Sequence, residues 1–195
     1  MVPELSQNGH VILRNFLDRR MAAFLYRLLL VREWRGEFKR DDHIPTALSF
    51  WGDSTLDTAL VSMLPEMERA TGCTLLPTYC YARLYSHGDR LGRHRDREAC
   101  EISATIHLGS EGVAPPPICF EPAHAVYQEP GDGVVFLANR VAHWRDTFVG
   151  DNFGQLFLNY VRTDGPYRDH AFDRRIDVFP PAVLRSVNIV PSEAR

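Results

Sequence analysis

The chain has 195 residues, 45% of them hydrophobic and 24% charged, with a formal charge of −3. That length suits one domain whose core buries roughly two-thirds of the unfolded surface, and the charge gives no global attraction to nucleic acid or an anionic membrane. Cys73, Cys80, Cys100 and Cys119 form no CxxC pair and fall below the density of a secreted disulfide scaffold, so they read as reduced thiols of a cytoplasmic protein.

Met1 to Asn8 is polar, and the first apolar run is broken by Arg14 and Asp18, which does not read as a signal peptide. The longest apolar block, Met21 to Val31, contains Arg27 and falls short of the ~20 residues needed to cross a bilayer. A short strand is predicted over His10 to Phe16. Asp18 then caps a helix over 19–34, with Met21, Phe24, Leu25, Leu28 and Leu29 as its apolar stripe. From Arg35 to Gly52 the sequence RGEFKRDDHIPTALSFWG loses periodicity, which predicts a loop or irregular strand with a solvated charge run. Asp53 or Ser54 caps a second helix reaching Ala70, divided or kinked at Pro65 and stopped by Gly72, with Leu56, Leu60, Met63, Leu64 and Met67 facing the core.

After Gly72 the texture changes to strands: Cys80 to Tyr85, Ile102 to Leu108, Pro117 to Phe120, Gly133 to Ala138 and Gln155 to Val161. Pro130 to Gly133 reads as a turn. Several short strands after two helices predict a mostly β fold, a sandwich or barrel backed by helices. Thr163 to Arg195 is rich in Pro, Arg and Asp and predicts an extended tail with a short strand or helix near Ile176 to Leu184.

The chemistry concentrates between Tyr85 and Gly109. In a strand, residues two apart share a face, so His94 and Asp96 can both reach one metal ion. A third ligand must come from elsewhere, and His143, 47 residues after Asp96, completes the two-His-one-carboxylate face that leaves open positions on non-haem Fe(II). A second HxD, His87-Gly88-Asp89, sits in a turn-forming run and is rejected as the metal site. His94-Arg95-Asp96 also spells a kinase catalytic loop, but that motif needs Asn where Glu101 stands. Arg95, between the two ligands, should point to the opposite face, where it would contact solvent or substrate.

Tyr85, Gly88 and His94-Arg95-Asp96, the strand ISATIHLG, the Pro130-Gly131-Asp132 turn, His143 and the strand from Gln155 to Val161, taken in this order, resemble the Fe(II)/2-oxoglutarate-dependent dioxygenases, and within them the prolyl-4-hydroxylase-like branch. The resemblance covers roughly residues 75–162. It implies a double-stranded β-helix, a jelly-roll or cupin-like barrel braced by the two helices. The expected organisation is one domain over 1–195, with helical support over 1–72, a catalytic barrel over 73–162 and a C-terminal extension over 163–195. It further implies Fe(II) held by His94, Asp96 and His143, 2-oxoglutarate as cosubstrate, and O2 as oxidant.

Such enzymes usually hold the far carboxylate of 2-oxoglutarate with Arg or Lys nine to eleven residues after the distal His, where this chain has Asn152, Phe153 and Gly154. Arg145, two residues from His143, is the replacement expected on chemical grounds, because a guanidinium offers a carboxylate a planar fork. Arg162 and Arg83 follow it, and Tyr85 stands where the family often places a cosubstrate-bonding Tyr. The implied reaction is oxidation of a C–H bond in a small molecule, amino acid or peptide, with release of succinate and CO2. Two other functions share the motif or the barrel. Demethylation of alkylated nucleic acid would want an Arg pair in the last strand, where Arg162 stands alone, and a cupin-like binding barrel would favour more His ligands.

Overall fold

The computed structural model describes residues 1–41 and 44–189. It opens with a helix that periodicity could not reveal, α1 (Pro3–Asn8), begun by Pro3 and ended by Gly9 in the left-handed region. Strand β1 (His10–Leu13) follows, and Asp18 then accepts hydrogen bonds from the backbone N–H groups of Arg20 (2.9 Å) and Met21 (3.1 Å), starting α2 (Arg19–Trp34) at the predicted cap. The buried stripe of α2 is narrower than predicted. Ala22, Leu25 and Leu29 are buried, whereas Met21 is 45% and Phe24 57% exposed. The helix lies close on the sheet: a Cβ added to Gly109 would stand 2.7 Å from the Tyr26 ring, and one on Gly154 would stand 3.0 Å from it. Only the residues directly beneath such a close approach are covered.

The charge run after α2 forms two short strands, β2 (Lys39–Arg40) and β3 (Leu48–Trp51), at the edge of a sheet. Its solvated character was overstated, because Asp41 is buried; Asp42 and His43 of the same run lie outside the described residues. The second predicted helix is two, α3 (Ser54–Ser62) and α4 (Leu64–Thr71), parted just before Pro65, with Asp53 as the cap and Gly72 as the left-handed stop.

The remaining strands are β4 (Leu75–Ser86), β5 (Leu91–His94), β6 (Ile102–Glu111), β7 (Ile118–Phe120), β8 (His124–Val126), β9 (Gly133–Phe136), β10 (His143–Arg145) and β11 (Asn152–Arg162). They form a seven-stranded sheet in the order β1-β9-β6-β11-β4-β3-β2 and a four-stranded sheet in the order β5-β10-β7-β8, antiparallel throughout. This is the double-stranded β-helix that the resemblance implied. β5, β8 and β10 were not predicted; each has three or four residues, too few to show a period.

The pleat of the large sheet decides where the site can form. Cys80, Ala82 and Leu84 of β4, Ala104 and Ile106 of β6, and Leu156 and Leu158 of β11 are buried. All but Leu84 join one core with Leu25, Leu29, Leu56, Leu60, Leu64 and Met67 of the helices, and each such side chain contributes roughly 1.5–3 kcal/mol when fully buried. The alternate residues Tyr79, Tyr81, Arg83 and Tyr85, with Phe157 and Thr105, turn instead into a cavity shared with the small sheet.

The tail is less extended than predicted. It coils through two 3-10 segments and α5 (Pro181–Ser186), and Phe172, Phe179, Leu184 and Ile189 are buried in the main core. Residues 190–195 of the predicted tail lie outside the described residues. All four cysteines are free, and among the described residues no helix is long and apolar enough to cross a membrane.

Candidate metal centre

His94 is the last residue of β5, and His143 stands opposite it in register on β10, with the two rings 4.3 Å apart between centroids. Asp96 lies past the end of β5, so a shared strand face is not what aims it, contrary to the sequence reading. Its backbone N–H donates to the Ala138 carbonyl (2.9 Å), just beyond β9, and this tie turns the carboxylate toward the two histidines. Asp96 Oδ1 is 3.2 Å from His94 Nε2 and 3.8 Å from His143 Nε2. One ligand atom from each of the three residues lies within 4.8 Å of the others, an arrangement that could hold a metal ion.

The tautomers suit that role. His94 Nδ1 lies 2.8 Å from the Gly92 carbonyl and His143 Nδ1 lies 3.1 Å from that of Val141. A ring N–H donated to a carbonyl leaves the Nε2 lone pair for a metal. Burial disfavours charge on both rings. In His143 it prevails and lowers the pKa, aided by nearby His94. In His94 it is outweighed by the Asp96 hydrogen bond and the Gly92 carbonyl, and the pKa is raised. Arg95 is largely exposed, donating to the Arg140 carbonyl (2.8 Å) and pairing with Glu121 (3.3 Å), and it borders the same cavity as the three candidate ligands.

The second HxD is built differently. Asp89 is 1% exposed, and its carboxylate accepts the Ser86 N–H of the turn (2.7 Å) and the hydroxyl of the distant Thr46. His87 reaches the Val149 carbonyl instead (3.1 Å).

His94, Asp96 and His143 line a cavity of about 500 Å³ between the two sheets, within the ~300–1,000 Å³ usual for small-molecule sites. Its deep end holds Arg83, Tyr85 and Arg145, each no more than 3% exposed. The two arginines differ in their partners. Arg83 is bound in bidentate fashion by Asp41 (Nε to Oδ2 2.9 Å, Nη2 to Oδ1 3.0 Å) and donates through Nη1 to the Tyr85 hydroxyl (3.0 Å). Arg145 donates to the Pro116 carbonyl and to Gln128 Oε1 (3.3 Å), and its guanidinium lies 5.4 Å from the Phe153 ring centroid. Among the described residues no carboxylate pairs with it. Burial accordingly pushes its pKa down, against the opposing influence of Tyr85 and Cys119.

Arg162 does not face this cavity; it is tied to Glu101 through both its side chain (2.9 Å) and its backbone N–H (2.8 Å). Of the three residues where the family's cation usually stands, Asn152 bonds Glu111 (3.1 Å) and the Tyr26 hydroxyl, Phe153 stacks on Tyr85 (centroids 4.2 Å), and Gly154 has no side chain. Asp41 and Gln128, which hold Arg83 and Arg145, were missed in the sequence. Asp41 sat inside a charge run, and nothing in its spacing marked it as buried.

No protein-family model and no curated protein matches the chain. Solved structures do, and they define the class of fold first: that of the 2-oxoglutarate/Fe(II) oxygenases. A prolyl-4-hydroxylase from Pseudomonas putida aligns over 82% of this chain and 95% of its own, with 21% identity and a TM-score of 0.64. The non-heme alpha ketoglutarate dependent carbocyclase SnoK from nogalamycin biosynthesis aligns over 100% and 94%, with 14% identity and a TM-score of 0.69. HygX from Streptomyces hygroscopicus, solved with nickel, 2-oxoglutarate and hygromycin B bound, aligns over 84% and 88%, with 10% identity and a TM-score of 0.63.

Proposed function

We propose that the chain is an Fe(II)- and 2-oxoglutarate-dependent dioxygenase that oxidises a C–H bond of a small molecule, amino acid or peptide and releases succinate and CO2. One observation carries the reading: a His-Asp-His cluster and a buried arginine without a carboxylate partner among the described residues line the same cavity. The donor set fits iron. Two imidazoles and one carboxylate bind a divalent ion and leave positions open for cosubstrate and O2. The fold likeness agrees, since the compared proteins include a prolyl-4-hydroxylase and an enzyme solved with 2-oxoglutarate.

With 2-oxoglutarate and O2, the bound iron would supply the oxidising power that breaks the C–H bond. The chain's own groups position the reactants. Arg145 would hold the far carboxylate of 2-oxoglutarate, because an unpaired buried cation is costly and a carboxylate removes that cost with charge-assisted hydrogen bonds. Tyr85 accepts a hydrogen bond from Arg83, which directs its own hydroxyl proton elsewhere, toward an incoming oxygen. Arg83, already satisfied by Asp41, orients Tyr85 and does not serve as the anchor. Burial of Arg145 and Tyr85 keeps water from competing for these bonds.

The test is incubation with Fe(II), 2-oxoglutarate and O2 against a panel of amino acids, peptides and metabolites. Succinate release coupled to depletion of one panel member is the expected result. Binding of iron and 2-oxoglutarate with no succinate from any panel member would favour a non-oxidative barrel.

A further inference from the structure

The chain is acidic overall, at −3, yet the wall of its cavity is rich in cations. Several of these are already engaged. Asp41 holds Arg83, Glu121 and the Arg140 carbonyl hold Arg95, and on the proposed function Arg145 takes the cosubstrate. Fe(II), the Asp96 carboxylate, dianionic 2-oxoglutarate and Arg145 would together neutralise one another. Lys39, Arg40 and Arg97 at the mouth are therefore not needed to balance the cosubstrate.

These three are loosely held. Lys39 and Arg40 are exposed on the edge strand β2, and among the described residues neither meets a carboxylate; as neighbours on one strand they point to opposite faces, Lys39 sharing through Ser49 the cavity face of Arg83 and Arg40, which donates to the Pro45 carbonyl (3.0 Å), lying on the other. Arg97 meets Asp173 at 3.5 Å, with 54% of its side chain exposed, and its guanidinium lies 4.5 Å from the Tyr79 ring centroid. Beside them runs a flat aromatic wall. Tyr79 stacks on Tyr81 (6.0 Å, 18°) and Tyr81 on Phe157 (4.4 Å, 10°). Trp51, 53% exposed, pairs with Tyr81 in register across β3 and β4 and also lines the cavity.

We infer that the substrate is a small organic anion, with a carboxylate or phosphate held at the mouth by Lys39 and Arg97 and a planar or apolar body laid on the Tyr79, Tyr81 and Phe157 wall. The inference rests on the proposed iron and 2-oxoglutarate site. Physically, cations gathered at the mouth of a cleft with low-dielectric walls focus the field and raise the local concentration of anions, even on an acidic protein. An aromatic face adds affinity for a planar group independent of its charge. A neutral substrate would use the wall and leave the cations idle.

The experiment titrates benzoate, phenyl phosphate and benzamide by calorimetry into the anaerobic enzyme saturated with Fe(II) and 2-oxoglutarate, so that the probes cannot simply occupy Arg145. Benzoate and benzamide have nearly the same shape and differ in charge. At least one anion should bind roughly tenfold tighter than benzamide, and whichever anion is preferred identifies the head group. Lys39→Gln, on an exposed edge strand, should shrink that preference to about threefold or less. Equal binding of benzamide and both anions by the unaltered enzyme would overturn the inference, whatever the variant does. So would tighter binding of a single-stranded oligothymidylate than of phenyl phosphate, which would point to nucleic acid. The visible charge-transfer band of chelated 2-oxoglutarate serves as the control. Its absence from the unaltered enzyme would overturn the iron and 2-oxoglutarate reading and this inference with it, whereas equal binding in its presence would overturn the inference alone.

Discussion

His87-Gly88-Asp89 and His94-Arg95-Asp96 offer the same two side chains at the same spacing, seven residues apart, yet among the described residues only the second pair converges with a third ligand. In the first, a glycine turn bends the backbone, and each carboxylate oxygen of Asp89 accepts a hydrogen bond, one from the Ser86 N–H in the turn and one from the Thr46 hydroxyl. In the second, β5 ends at His94, β10 delivers His143 opposite it, and Ala138 fixes the backbone of Asp96. The difference lies in what the neighbours consume. A carboxylate with its acceptors already filled by backbone and hydroxyl groups is structural; one left facing two imidazoles is a ligand. The two buried arginines repeat the contrast, since Arg83 is filled by Asp41 and Arg145 meets no acid among the described residues.

The strongest way to break this comparison is to remove the ligands. His94→Ala, Asp96→Ala and His143→Ala should each abolish iron-dependent turnover with little loss of fold, as read by metal content and circular dichroism. Full activity with unchanged iron in any of them would defeat the site. Next in size is Arg145→Ala, which removes a buried charge-assisted partner for a carboxylate and should raise the 2-oxoglutarate requirement at least ~30-fold, within the ~2–5 kcal/mol such losses cost. Arg145→Lys should fall between the two, because it keeps the charge and loses the fork. Titration of 2-oxoglutarate by the charge-transfer band measures both.

Smaller effects sharpen the structural side. Asp89→Ala should leave metal binding intact and lower stability by about 1–3 kcal/mol, because it strands a buried backbone donor. Urea unfolding with a parallel iron assay separates those two outcomes. Arg162→Ala should change the 2-oxoglutarate requirement by no more than a few-fold, since its guanidinium is committed to Glu101 outside the cavity. A large rise there, with none in Arg145→Ala, would move the proposed anchor to the last strand.

Much of this was legible in the sequence for identifiable reasons. The helix caps Asp18 and Asp53 and the left-handed stop at Gly72 are local signals, and the structure uses them at those positions. Long strands show their period, so β4, β6 and β11 were found. Strands of three or four residues show none; β1, β7 and β9 were found by their apolar content instead, whereas β5 (LGRH) and β10 (HWR), which carry His94 and His143, have no apolar run and were invisible as strands although their ligands were not. The sequence paired His94 with Asp96 for a reason that proved incomplete, since Asp96 is aimed by a contact with Ala138 made across the fold. The exposure of Phe24 and the burial of Asp41 have the same origin. Both depend on how closely an element lies on a distant partner, and spacing along the chain does not encode that distance.

The central claim is tested most directly by one comparison of metal binding. Asp96→Ala and Asp89→Ala are each titrated anaerobically with Fe(II) and 2-oxoglutarate while the visible charge-transfer band is followed. The band should be lost in Asp96→Ala and persist in Asp89→Ala at the strength of the unaltered protein. A band retained in Asp96→Ala and lost in Asp89→Ala would contradict the assignment of His94, Asp96 and His143 as the metal site.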